Sequence, residues 1–202
     1  MIGLDIETDT TINGLDPRLA PIVAVALVNA DTTLVFDDPD ERTLLTALDA
    51  AVASLAAAGP GVLVTWNGSG FDLPFIASRA AALGLPIGLR TVHDPTIAGR
   101  HDPLPGHPGR VRATWHGHRH IDGYQAYRAD VGQVLAVSCG LKSLARFVGL
   151  PVVEVDRAAI HELSERERRD YVASDAFLAR ALVARRADAA RWVDQSPDAS
   201  GS

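Results

Sequence analysis

The chain has 202 residues, 47% of them hydrophobic, which is enough for one domain with a buried core of ordinary size. Its lone cysteine, Cys139, excludes an internal disulfide and cannot by itself make a structural zinc site; with no basic apolar leader and no membrane-length apolar run, the expectation is a cytoplasmic protein without a membrane partner. The net charge of -6 is unevenly spread: residues 1–100 carry 5 Lys+Arg against 12 Asp+Glu, and residues 101–202 carry 14 against 13, so a phosphate backbone held on a late basic rim is not excluded.

The first predicted strand, residues 2–6, runs into an acidic pair. If the chain is extended there, Asp5 and Glu7 point to one side while Leu4 and Ile6 point to the other. Two carboxylates held side by side repel, and one pKa rises, unless a cation stands between them. The alternative is a polar strand edge. After a polar turn, residues 21–28 and 32–36 read as a hairpin about Asn29-Ala30-Asp31. Asp40 is placed to cap an alanine-rich helix ending before Gly59-Pro60-Gly61.

Residues 62–66 form a short β-branched run consistent with a buried strand, followed by the loop Asn67-Gly68-Ser69-Gly70 and a helix in which Pro74 falls in the first turn. The Gly-Lys-Ser/Thr ending of a P-loop is absent, which argues against a nucleoside triphosphate site. Six of the seven histidines lie between Thr91 and His120. Residues 99–110 read as an irregular loop and 114–122 as one strand, with His116, His118 and His120 sharing a face. Exposed histidines on an edge strand are the commoner case, and a metal site is the alternative.

Residues 124–128 suggest a helical turn, and 141–147 have the spacing of a core-facing helix stopped by Gly149 and Pro151. Ser164-Glu165-Arg166-Glu167 is a capping box, so the last helix is expected to start at Ser164 and run to about Trp192. That gives one domain over residues 1–192 and a polar, disordered tail over 193–202. Strands come first and then alternate with helices, the pattern of an α/β layer fold with a mixed sheet.

On the last predicted helix, Tyr171 and Asp175 are four residues apart and project from one face. Together with Asp5, Glu7 and Asp72, Asp175 makes four carboxylates from three separated segments, each among apolar neighbours. Such a set suits hard divalent cations, a pair of which can clamp the attacking and leaving oxygens of a phosphodiester. Tyr171 has an alternative as a core tyrosine, Asn67 as a turn former and Phe71 as a core aromatic.

Asp5-Ile6-Glu7-Thr8, Asn67-Gly68-Ser69-Gly70-Phe71-Asp72 and Tyr171-Val172-Ala173-Ser174-Asp175 resemble the three motifs of the DEDD superfamily of 3′→5′ exonucleases. The likeness is to the tyrosine branch (DEDDy), and within it to the exonuclease domain of family B DNA polymerases and its stand-alone relatives. The histidine branch has its histidine where this chain has Asp170. The resemblance implies a ribonuclease H-like fold with a central mixed five-stranded sheet flanked by helices. It also implies two divalent metal ions, Mg²⁺ or Mn²⁺. Asp5, Glu7 and Asp175 would hold the first, with Asp5 shared and Asp72 completing the second. Tyr171 would orient the attacking water, and Thr8, Asn67 and Phe71 would contact the substrate. The implied partner is the 3′ end of a single-stranded nucleic acid, DNA before RNA, with a separate polymerase or repair partner left unspecified. Asp122 is a candidate accessory acid, though capping the following turn is the preferred role. The rivals are a catalytically silent nucleic-acid-binding or scaffold domain of the same fold and an RNA-trimming exoribonuclease.

Overall fold

The computed structural model describes residues 1–97, 99, 102–129, 131–134 and 137–186, without the side chains of 157–159. Among these residues seven strands form one mixed sheet: β1 (Ile2–Thr8), β2 (Ile22–Val28), β3 (Thr33–Phe36), β4 (Val62–Thr65), β5 (Leu89–His93), β6 (Val111–Trp115) and β7 (His118–Asp122), in the order β3-β2-β1-β4-β7-β6-β5. The centre, β1-β4-β7, is parallel, and antiparallel strands extend it on both sides.

Helices cover both faces. On one face, α1 (Glu41–Ala57) and α2 (Asp72–Ala82) bury Leu44, Leu45, Leu48, Phe75 and Ile76 against Ile2, Leu4 and Ile6 of β1 and Val25 and Leu27 of β2. On the other, α3 (Gly123–Arg128), the short α4 (Val131–Val134), α5 (Leu141–Phe147) and α6 (Glu165–Ala184) follow β7 in sequence. Tyr127, Leu144, Leu178 and Leu182 from α3, α5 and α6 pack there on Val64 and Ile121. No described helix is long and apolar enough to cross a membrane.

The expected five-stranded sheet is corrected to seven strands. Residues 114–122 are not one strand, because His116 and Gly117 both have positive φ and turn the chain back between β6 and β7. The alternation read through that turn also misplaced the histidines. His118 and His120 are buried on β7, an interior strand, and burial lowers both ring pKa values, that of His120 to about 4. His116 instead lies in the turn, its Nε2 2.9 Å from Asp49 Oδ1. β5 escaped detection because its strand, Leu-Arg-Thr-Val-His, shows little apolar alternation and is largely exposed.

Other expectations hold. Asp40 caps α1 through the Thr43 N–H, and Ser164 and Glu167 make both bonds of the capping box at the start of α6. The expected run of the last helix to about Trp192 is corrected: α6 ends at Ala184 with Arg185 as its C-cap, and Trp192 and the 193–202 tail lie outside the described residues.

Candidate active site

β1 delivers the first acids. Its Leu4 and Ile6 enter the core under α1 and α2, so Gly3, Asp5 and Glu7 face the opposite layer, where α6 lies. Ala24 and Ala26 of β2 pack with Val172 and Ala176 of α6 in a patch of mostly small residues, and Gly3 lets the helix come closer still. A Cβ at Gly3 would fall 2.0 Å from the carbonyl oxygen of Ala176, the neighbour of Asp175. The pairing with β2 shifts register between Glu7 and Thr8, and Thr8 Oγ1 donates 2.6 Å to the Gly14 carbonyl.

The loop after β4 delivers Asp72 at the first turn of α2. Asp122, at the end of β7, holds this loop: its carboxylate accepts from the N–H of Asn67 at 2.9 Å and of Ser69 at 3.1 Å, and also from the N–H of Tyr124 at 3.0 Å as it caps α3. The preferred capping role of Asp122 is thus present, with a second role that sequence spacing did not reveal. Asn67 has a φ of 71°, in the left-handed region where Asn is one of the few tolerated side chains. Thr65 Oγ1 accepts the Gly68 N–H at 3.1 Å and shares a 2.8 Å hydrogen bond with His120 Nε2, tying β4, the loop and β7 together.

Asp72 is only 3% exposed. Desolvation pushes its carboxyl up to about 7, and the nearby charges of Asp122 and Asp175 push the same way, while the backbone N–H groups of Asp72 itself and of Ile6 favour the anion. The Ile6 bond puts Asp72 against β1 between the two first acids. Asp175, 3% exposed, and Tyr171, 1% exposed, come from successive turns of α6.

Asp5, Glu7, Thr8, Asn67, Phe71, Asp72, Tyr171 and Asp175 all line one cleft of about 1220 Å³. These eight residues, nominated from the sequence, are therefore brought to the same cleft, while Asp122, the candidate accessory acid, is not among its lining residues. Among the cations that line the cleft are Lys142 and Arg110, which sequence patterns did not assign to a site. Lys142 Nζ lies 3.5 Å from Asp175 Oδ1 and 3.9 Å from the centre of the Tyr171 ring, and it donates to the Val153 carbonyl at 2.7 Å. Arg110 Nη1 donates to Asn67 Oδ1 at 2.8 Å. Lys142 had a signal, since it is the sole lysine in a chain whose other basic side chains are arginines. Arg110 had none, because its contact spans 43 residues.

Among the described residues, no three His, Cys, Asp or Glu side chains are drawn together into a ready-made ion cage. The donor set nonetheless fits a hard divalent ion. It consists of carboxylate oxygens, its most buried members are shielded from water, and one ammonium already stands beside Asp175. A cation entering the cleft would make the ionised form of Asp72 favourable, which burial and its acidic neighbours oppose.

Residues 2–159 match the family described as RNase_H superfamily. Over 94 residues, 46% of this chain, the sequence is 27% identical to DNA polymerase 2 of Aeropyrum pernix strain K1, of which the match covers 12%. The structure of the family B DNA polymerase from the hyperthermophilic archaeon Pyrobaculum calidifontis has the same fold, with a TM-score of 0.67 at 23% identity over 91% of this chain and 24% of that one. The chain thus spans about an eighth of the first polymerase and about a quarter of the second. With its mixed sheet, its helices on both faces and the matched segment reaching from β1 into Arg157–Glu162, the chain belongs to the RNase_H superfamily.

Proposed function

We propose that this chain is a metal-dependent 3′→5′ exonuclease of the DEDDy type, hydrolysing the terminal phosphodiester of single-stranded DNA, and of RNA as a second substrate, to nucleoside monophosphates. The observation that carries the reading is that Asp5, Glu7, Asp72 and Asp175, from three separated segments, line one cleft. Membership of the RNase_H superfamily and likeness to family B polymerases support a nuclease.

In this reading Asp5, Glu7 and Asp175 would hold one Mg²⁺ or Mn²⁺, and Asp72, with Asp5, a second; the chemistry such ions would supply is a lowered pKa for an attacking water and stabilisation of charge on the departing 3′ oxygen. The chain's own residues position and shield. The Tyr171 hydroxyl orients the water, and the ring beneath it is fixed by burial and by the ammonium of Lys142. The Lys142 ammonium, beside Asp175, neutralises part of the acidic cluster. Thr8, Asn67 and Phe71 contact the terminal nucleotides. Phe71 stands 5.3 Å from Phe75, which backs it on α2. Frayed or mismatched ends react faster, since unpairing a terminal base costs a few kcal/mol that a single strand does not incur.

The test is shortening of strands labelled at the 3′ or the 5′ end, as DNA and as RNA, with Mg²⁺ or with chelator. Stepwise shortening of the 5′-labelled strand and early release of a labelled mononucleotide from the 3′-labelled one, both abolished by chelator, are expected. No shortening of either polymer in Mg²⁺ or Mn²⁺ would leave a silent binding domain.

A further inference from the structure

The segment between β5 and β6 returns to the sheet at Arg110, and this residue is built into the wall of the cleft. Arg110 is only 8% exposed. Its carbonyl accepts the Asp94 N–H at 2.9 Å, and the N–H of the next residue, Val111, donates 2.8 Å to the carbonyl of Ser69 in the loop that precedes Asp72. The guanidinium then reaches over that loop. Nη1 occupies the space beside Gly70 so fully that a Cβ there would fall 1.9 Å from it, and the same nitrogen donates to Asn67 Oδ1.

Arginine carries donors only, so the Asn67 atom that faces it must be the oxygen, and the amide nitrogen must face elsewhere. Asn67 is fixed at its backbone by Asp122 and lines the cleft. With both anchors in place, the Nδ2 hydrogens are the part of the side chain left to meet a ligand. We infer that Arg110 is a positioning residue that locks the Asn67 amide with its donors toward the cleft, and so makes this wall select an acceptor oxygen of the terminal nucleotide, a phosphate or base carbonyl. The inference rests on the nuclease reading for the identity of the ligand, and it explains what the long segment before β6 does: it delivers Arg110 to the cleft wall.

The test is a double-mutant cycle on binding. The probe is a short fluorescein-labelled oligothymidylate whose 3′-terminal linkage is a phosphorothioate to suppress turnover, titrated in Mg²⁺ into wild type, Arg110→Met, Asn67→Ala and the double variant. Each single variant should weaken binding about tenfold, the effect of one hydrogen bond to a charged or polar group. The double variant should bind no more weakly than Asn67→Ala. Gly70→Ala, which displaces the guanidinium without removing it, should match Arg110→Met and serves in its place if that variant does not fold. Asn67→Asp, which keeps the oxygen toward Arg110 but removes the amide donors, should bind as weakly as Asn67→Ala. If Arg110→Met weakens binding equally in the wild-type and Asn67→Ala backgrounds, the inference fails while the nuclease reading stands. A wild type that neither binds nor shortens single strands overturns both.

Discussion

Gly3 and Ala176 stand so close that a single methyl group on the former would lie 2.0 Å from the carbonyl oxygen of the latter. This contact sets the distance between β1, which carries Asp5 and Glu7, and the helix that carries Asp175. Substituting Gly3→Ala should therefore push α6 outward. The expected cost is about 1–3 kcal/mol of stability, typical of overpacking a filled core, read from urea unfolding. Metal-dependent cleavage should fall more steeply than the folded fraction does, because Asp5 and Asp175 are separated. Unchanged cleavage in a destabilised Gly3→Ala protein would show that this spacing is not critical.

The second prediction concerns pH. Asp72 has its folded pKa raised from 3.8 to about 7, so the folded state binds more protons than the unfolded state in that window, and stability falls as pH rises through it. His120 has its folded pKa lowered from 6.5 to about 4, and His118 is lowered too, so their contribution is complete above 6.5 and is lost as pH falls. The two effects oppose each other, and the metal-free wild type should show a shallow profile between pH 4 and 7. Replacing Asp72→Asn leaves the histidine slope alone. In chelator the variant should gain stability steadily with pH and exceed the wild type at pH 8, by an amount of order a few kcal/mol. Mg²⁺ should narrow that gap by stabilising the wild type more than the variant, which keeps Asp5, Glu7 and Asp175 but not Asp72. Parallel urea midpoints for the two proteins across this range would contradict the account of Asp72.

Asp122 gives a third. One carboxylate accepts from the N–H groups of Asn67, Ser69 and Tyr124 and thereby joins the loop before Asp72 to the start of α3. Exchanging Asp122→Asn removes one acceptor oxygen and leaves at least one N–H unsatisfied, a loss of about 1–3 kcal/mol. Hydrogen exchange should rise at Asn67 and Ser69 while the amides of β1 and β2 stay protected. If exchange rises across the sheet as well, Asp122 supports the whole fold rather than this loop.

How much of this could be read from the sequence differs between local and distant contacts. The alternation that puts Asp5 and Glu7 on one side of β1, the caps at Asp40 and Ser164, and the turn into α2 depend on residues within a few positions of one another, and all stand in the structure as expected. The pair β5 and β6 did not declare itself, because an exposed strand lacks apolar alternation and because the β6–β7 turn at His116-Gly117 keeps the residue-by-residue rhythm of a continuous strand. The hydrogen bond of Arg110 to Asn67 and the ion pair of Lys142 with Asp175 join residues far apart in sequence, and no local rule pairs them. Both cations line the cleft, and their pairing with Asn67 and Asp175 is seen only in the folded chain.

The central claim is that four acids from three segments act as one metal-binding unit on a nucleic-acid end. Its most direct test is digestion of a 5′-labelled single strand in Mg²⁺ or Mn²⁺ by wild type, Asp5→Ala and Asp175→Ala, each shown by circular dichroism to be folded and each purified free of contaminating nuclease. Stepwise shortening by the wild type, with loss of about three orders of magnitude or more in either variant, is the predicted result. Wild-type rates in folded Asp5→Ala protein would contradict it.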